Sequence, residues 1–125
     1  MIVAIGIDIV EIVRIEENLA QGATRFLNRI YTPYEIAYCE ARASKFASFA
    51  ARFAAKEAAM KALGTGWAEG VAWKDIEVIN DEAGKPMINL TGKALERFIA
   101  LGARHIHVSL SHSKELAIAQ VILES

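Results

Sequence analysis

Hydrophobic and polar positions follow three rhythms along the chain. Residues 1–9 are apolar almost without a break, the pattern of a strand buried on both faces. Residues 11–30 carry Ile12, Ile15 and Leu19 at helical spacing, and this helix breaks near Gln21 and Gly22. TPYE, at residues 32–35, is a capping box with proline at the first helical position, so a second helix starts there and fades near Ser44. Residues 45–63 form the strongest helix, alanine-rich and without glycine or proline, and Gly64 supplies a left-handed cap. IEVI within residues 71–80 is a strand, NDEAGKP a turn, and residues 86–90 the return strand. Thr91 caps a short helix over 92–101, closed by Gly102. Residues 105–113 alternate strictly: Ile106, Val108 and Leu110 face one way, His105, His107, Ser109 and Ser111 the other. His112 interrupts the apolar set and is assigned to a turn. After a tight turn at Ser113, Lys114 and Glu115, a last strand covers 116–123. The pattern predicts an α+β fold, a mostly antiparallel sheet packed on one long helix, in a single domain over residues 1–125.

Composition narrows the function classes. A chain of 125 residues that is 54% hydrophobic and 23% charged can bury a real core. The first apolar run is too short to span a bilayer and has no basic segment before it. One cysteine, Cys39, allows no internal disulfide. These features point to a cytosolic protein without a membrane partner. A net charge of −1 gives no argument for a nucleic-acid partner.

Several polar residues sit where periodicity expects apolar ones. Phe46, Phe49, Phe53 and Met60 make one helical stripe, and at about 100° per residue Glu57 falls near its middle. Glu57 either pairs with Lys61 one turn later or binds a hard divalent cation such as Mg²⁺ in a cleft beside the core. Asp8, in IGIDIV, either caps the following helix or meets Glu57 across a strand–helix contact, where two acids would repel unless a metal compensates. Gly6 marks a close approach of backbone or ligand. Gly64, Thr65 and Gly66 end the helix, and their amides could also form an anion nest. The order of lysine and glycines is not that of a Walker loop. Lys45, Arg52 and Lys56 share one helix flank, either a solvated ridge or a grip on several phosphates. His105 and His107 lack a third ligand at a zinc-like spacing, and no G-x-S-x-G elbow supports a serine hydrolase. The His–Ser strand face is either a solvated edge or a surface for an anionic ligand.

Taken together, IGIDIVEI at residues 5–12, RFAAKEAAMKALGTG at 52–66 and HVSLSHSKELAIAQV at 107–121 resemble the holo-acyl-carrier-protein synthases, the short class of 4′-phosphopantetheinyl transferases. The order and spacing of the three markers agree from end to end. The resemblance implies transfer of 4′-phosphopantetheine from coenzyme A to a serine of an acyl carrier protein, in support of fatty acid synthesis. The second product is adenosine 3′,5′-bisphosphate. It implies Mg²⁺ held by Asp8 and Glu57, with Lys61 on the pyrophosphate and able to protonate the leaving phosphate. It implies a coenzyme A site shaped by Gly64, Thr65, Gly66 and Pro86, with His107 and Ser109 facing the nucleotide phosphates. Arg52 or Lys45 would reach the 3′-phosphate, in a homotrimer with sites between subunits. The carrier would dock on Arg14 and Arg25, in a region where Glu16 and Glu17 dilute the basic charge. The general base stays open between Glu57 and a water held by the metal. The alternatives are a Mg²⁺-dependent phosphohydrolase and a non-catalytic nucleotide-binding module.

Overall fold

A computed structural model describes residues 1–20, 23–65 and 70–125. Strand β1 (Ile2–Glu11) leads into helices α1 (Ile12–Ala20) and α2 (Ala23–Ile30), then α3 (Pro33–Glu40) and the long α4 (Lys45–Leu63). A 3-10 turn at Trp73–Asp75 precedes the hairpin β2 (Ile76–Asn80) and β3 (Pro86–Leu90). Helix α5 (Gly92–Ala100) and strands β4 (His105–His112) and β5 (Leu116–Glu124) complete the chain. The expected helix break at Gln21 and Gly22 lies outside the described residues.

Strands β1, β5 and β4 form one antiparallel sheet in that order, and β2–β3 is a separate antiparallel pair. Helix α4 covers one face of the larger sheet, and its buried alanines let the two surfaces come close. Contact is tightest at Gly6, where a Cβ would lie 1.9 Å from the Ala58 carbonyl oxygen. Gly6 is thus glycine because the helix backbone occupies the space of a side chain, one of the two readings the sequence left open.

Strand alternation then assigns the rest of β1. Gly6, Asp8 and Val10 face α4; Ile5, Ile7 and Ile9 face away and are 55%, 52% and 57% exposed. Within one chain the expectation of burial on both faces is not met, because a single helix layer covers a single face. Ile5 lies in register with Ile122 and His107, and Ile7 with Gln120 and Ser109, so the outer face grades from isoleucine on β1 to His and Ser on β4. His112 belongs to β4, opposite Ala117, and not to the turn, because the ladder runs one pair further than the apolar set.

The local signals were sound. Thr32 and Glu35 form both bonds of the capping box, with Pro33 at the start of α3. Gly64 ends α4 at φ 75°. Thr91 precedes α5, but its side chain makes no capping bond among the described residues. Inside, Phe49 is fully buried and its carbonyl accepts the Tyr31 hydroxyl at 2.8 Å, while Phe26, Phe53 and Trp73 stack in series. Cys39 is wholly enclosed, and burial pushes its thiol above the usual range.

Candidate active site

The crossing of β1 and α4 gathers the misplaced carboxylates. Asp8 follows Gly6 on the helix-facing side, and Glu57 and Lys61 flank the two α4 residues, Ala58 and Ala62, that touch Gly6. Lys61 Nζ lies 3.1 Å from Asp8 Oδ1 and donates to the Ile7 carbonyl at 3.0 Å. Lys61 thus reaches across to the strand, and the simple one-turn pair with Glu57 is not formed. Asp8 sits in mid-strand opposite Ala119, four residues before α1, so it does not cap that helix. Glu57 is half-buried. Burial pushes its carboxyl above the ordinary range, the Asp8 charge adds to this, and Lys61 and Arg14 pull the other way.

This donor set suits a hard divalent cation. It offers two carboxylates, and after burial the Asp8 charge is the second cause that raises Glu57, a crowding that a cation relieves. Among the described residues no cluster of three His, Cys, Asp or Glu could hold a metal alone. Further ligands would have to be substrate oxygens and water, the usual arrangement for Mg²⁺.

The shared flank of Lys45, Arg52 and Lys56 splits into three fates. Lys45 pairs with Glu40 at 3.4 Å beside a groove lined by Leu27 and Phe49. Lys56 is fully buried against Glu35, so the ridge is neither solvated nor a common grip on phosphate. Arg52, also buried, lines a cleft of about 320 Å³ with Tyr38, Arg42, Asn80, Pro86 and His112. One terminal nitrogen of Arg52 donates to Asn80 Oδ1 at 2.9 Å and the other to Ser48 Oγ at 3.1 Å. Its guanidinium carbon lies 4.3 Å from the Tyr38 ring centre, and its Nε is buried without a partner among the described residues. An orphaned cationic donor beside a cleft is a natural anion contact. Sequence reasoning missed Tyr38, Arg42, Asn80 and His112. Their only common signal is spatial.

His107 and Ser109 lie on the outer sheet face, opposite the face of Asp8. His107 pairs with Glu124 at 3.0 Å and lines a second cleft with Lys85, Pro86 and Arg104. One chain therefore does not bring His107 and Ser109 to the two carboxylates. Pro86 borders both clefts. Arg97 of α5, also missed, donates to the Leu63 carbonyl at 2.9 Å, a cation against the negative end of α4 beside Gly64. Thr65 is buried, with its hydroxyl unpartnered among the described residues; Gly66 lies outside the described residues. Arg14 is exposed on α1 and Arg25 on α2.

The combination of a carboxylate pair, an adjacent lysine and a cationic cleft defines a phosphate-handling α+β protein. Residues 4–121 match the model of the 4′-phosphopantetheinyl transferase superfamily. The chain is 52% identical over 124 residues to the holo-[acyl-carrier-protein] synthase of Koribacter versatilis (strain Ellin345), covering 99% of both. It superposes on the holo-[acyl-carrier-protein] synthase of Neisseria meningitidis with a TM-score of 0.88 at 34% identity, covering 100% of both chains. The Bacillus anthracis str. Ames enzyme, solved in complex with CoA (3′,5′-ADP), matches at a TM-score of 0.81 and 43% identity, over 100% of this chain and 98% of that one. The chain belongs to the 4′-phosphopantetheinyl transferase superfamily.

Proposed function

We propose that the chain is a holo-acyl-carrier-protein synthase. It moves the 4′-phosphopantetheine arm of coenzyme A onto a serine of an apo acyl carrier protein, in support of fatty acid synthesis in the cytoplasm. The observation that carries this reading is the meeting of Asp8, Glu57 and Lys61 where β1 crosses α4. The serine oxygen bonds to the β-phosphorus, the phosphorus–oxygen bond to the adenosine 3′,5′-bisphosphate breaks, and the serine proton passes to a base. That base is either a water held by the metal or Glu57 in its ionised form, whose basicity burial would raise. Lys61, more than half exposed, can turn from Asp8 to the pyrophosphate and donate to the leaving phosphate. Arg52, with its unused Nε, and Arg42 line the cleft for the nucleotide phosphates. Mg²⁺, when held by Asp8 and Glu57, would neutralise the pyrophosphate charge and orient the group displaced.

Association as a homotrimer accounts for two features that one chain leaves open. The exposed Ile5, Ile7 and Ile9 need a cover, and the His107–Ser109 face needs a neighbour to join a site. Arg14 and Arg25 offer an acidic carrier two exposed cations.

Incubation with coenzyme A, Mg²⁺ and apo carrier, followed by mass measurement of the carrier, tests the reading. A phosphopantetheine gain is expected. An unmodified carrier with free 4′-phosphopantetheine in solution would mean a phosphohydrolase, and no reaction with intact binding a nucleotide-binding module. Sedimentation as a monomer would remove the trimer.

A further inference from the structure

Lys56, the residue before Glu57, is fully buried, and all three of its ammonium protons have an acceptor. Nζ lies 2.9 Å from Glu35 Oε1 and donates to the carbonyls of Ile76 at 2.5 Å and Trp73 at 3.2 Å. Glu35 is as completely used. Its Oε1 accepts the Thr32 amide at 2.8 Å, closing the capping box, and its Oε2 accepts the Val78 amide at 2.7 Å. The pair thus ties the start of α3 and the start of β2 to one point on α4. Buried ion pairs seldom add net stability over a well-packed apolar substitute, so their use must be sought elsewhere.

Successive helix residues point about 100° apart. Fixing Lys56 against β2 therefore fixes the direction of Glu57. Gly6, meanwhile, sets the separation of α4 from β1. The same strand β2 carries Asn80, which holds Arg52 of the nucleotide cleft. We propose that the Glu35–Lys56 pair is the positioning element that sets the rotation of α4 so that Glu57 meets Asp8. The inference rests on the function proposed above.

The double substitution Glu35→Gln with Lys56→Met removes both charges without stranding either. Mn²⁺ binding is followed by electron paramagnetic resonance with coenzyme A present and no carrier, and kcat is measured separately with carrier. In the folded double variant Mn²⁺ affinity and kcat should each fall about tenfold, the usual scale for losing support behind a metal ligand. Phe98→Leu, a core lesion in α5 that removes none of the pair's hydrogen bonds, should lower the melting temperature without moving Mn²⁺ affinity. Values within about twofold of wild type in a folded double variant would overturn the proposal. If the double variant does not fold, Glu35→Asp decides by the same criteria, since it keeps both charges and shortens the carboxylate. Should the wild type fail to transfer, the proposed function falls, while the Mn²⁺ measurement still decides the positioning.

Discussion

Two carboxylate–lysine pairs start from lysines five residues apart on α4, and they are built to opposite ends. Glu35–Lys56 is sealed, with both side chains 0% exposed at 2.9 Å and each polar atom engaged. Asp8–Lys61 is open, at 3.1 Å with the lysine 55% and the aspartate 15% exposed. Among the described residues Asp8 Oδ2 and Glu57 have no hydrogen-bonding partner. Saturation separates an ion pair with every acceptor engaged from one that leaves oxygens open to a ligand. In charge type the two look alike, a carboxylate against a lysine of α4.

The sharpest way to break this comparison is Lys56→Met. It leaves Glu35 buried and uncompensated, so urea unfolding should register a loss of about 3–5 kcal/mol. A loss near zero would mean that the pair is not sealed in solution. Glu57→Gln should leave folding intact but lower transfer about 100-fold or more, roughly 3 kcal/mol of transition-state stabilisation. Calorimetry should still detect coenzyme A. Unchanged transfer would remove Glu57 from the site. Gly6→Ala puts a methyl group into the Ala58 carbonyl, and overpacking there should reduce stability by about 1–3 kcal/mol. Lys61→Met should change stability by at most about 1 kcal/mol, because an exposed pair is screened, yet it should raise the KM for coenzyme A.

The smallest effect concerns pH. Folded Glu57 keeps its proton above the ordinary carboxylate range, whereas the unfolded chain releases it there. The folded state thus binds more protons in that interval, and stability should fall as pH rises through it. Denaturation across that interval should show this slope in the wild type without metal. Glu57→Gln should flatten it, and an unchanged slope would assign it to another group.

Local signals made most of the fold legible. The TPYE box, the αL Gly64 and the alternation in β4 each rest on neighbours in sequence, and each is present. Asp8 and Glu57 were legible as carboxylates out of place, because periodicity exposes a polar residue on an apolar face. Lys56 was not. It lies on one helical stripe with Lys45 and Arg52, and charge pattern alone makes the three equivalent. What separates them is Glu35 on another helix, already accounted for by the capping box. The exposed isoleucines of β1 escaped for a related reason. An apolar run states a need for cover without saying whether the same chain supplies it.

Cys39 has a consequence of a different kind. Coenzyme A and a carrier bearing its arm both end in a thiol. A protein that handles such molecules risks mixed disulfides wherever it presents a thiolate of its own. Here the one cysteine is enclosed in α3 and held in its protonated form by burial. The fold thereby keeps its own sulfur out of exchange with the sulfur at the end of the transferred arm.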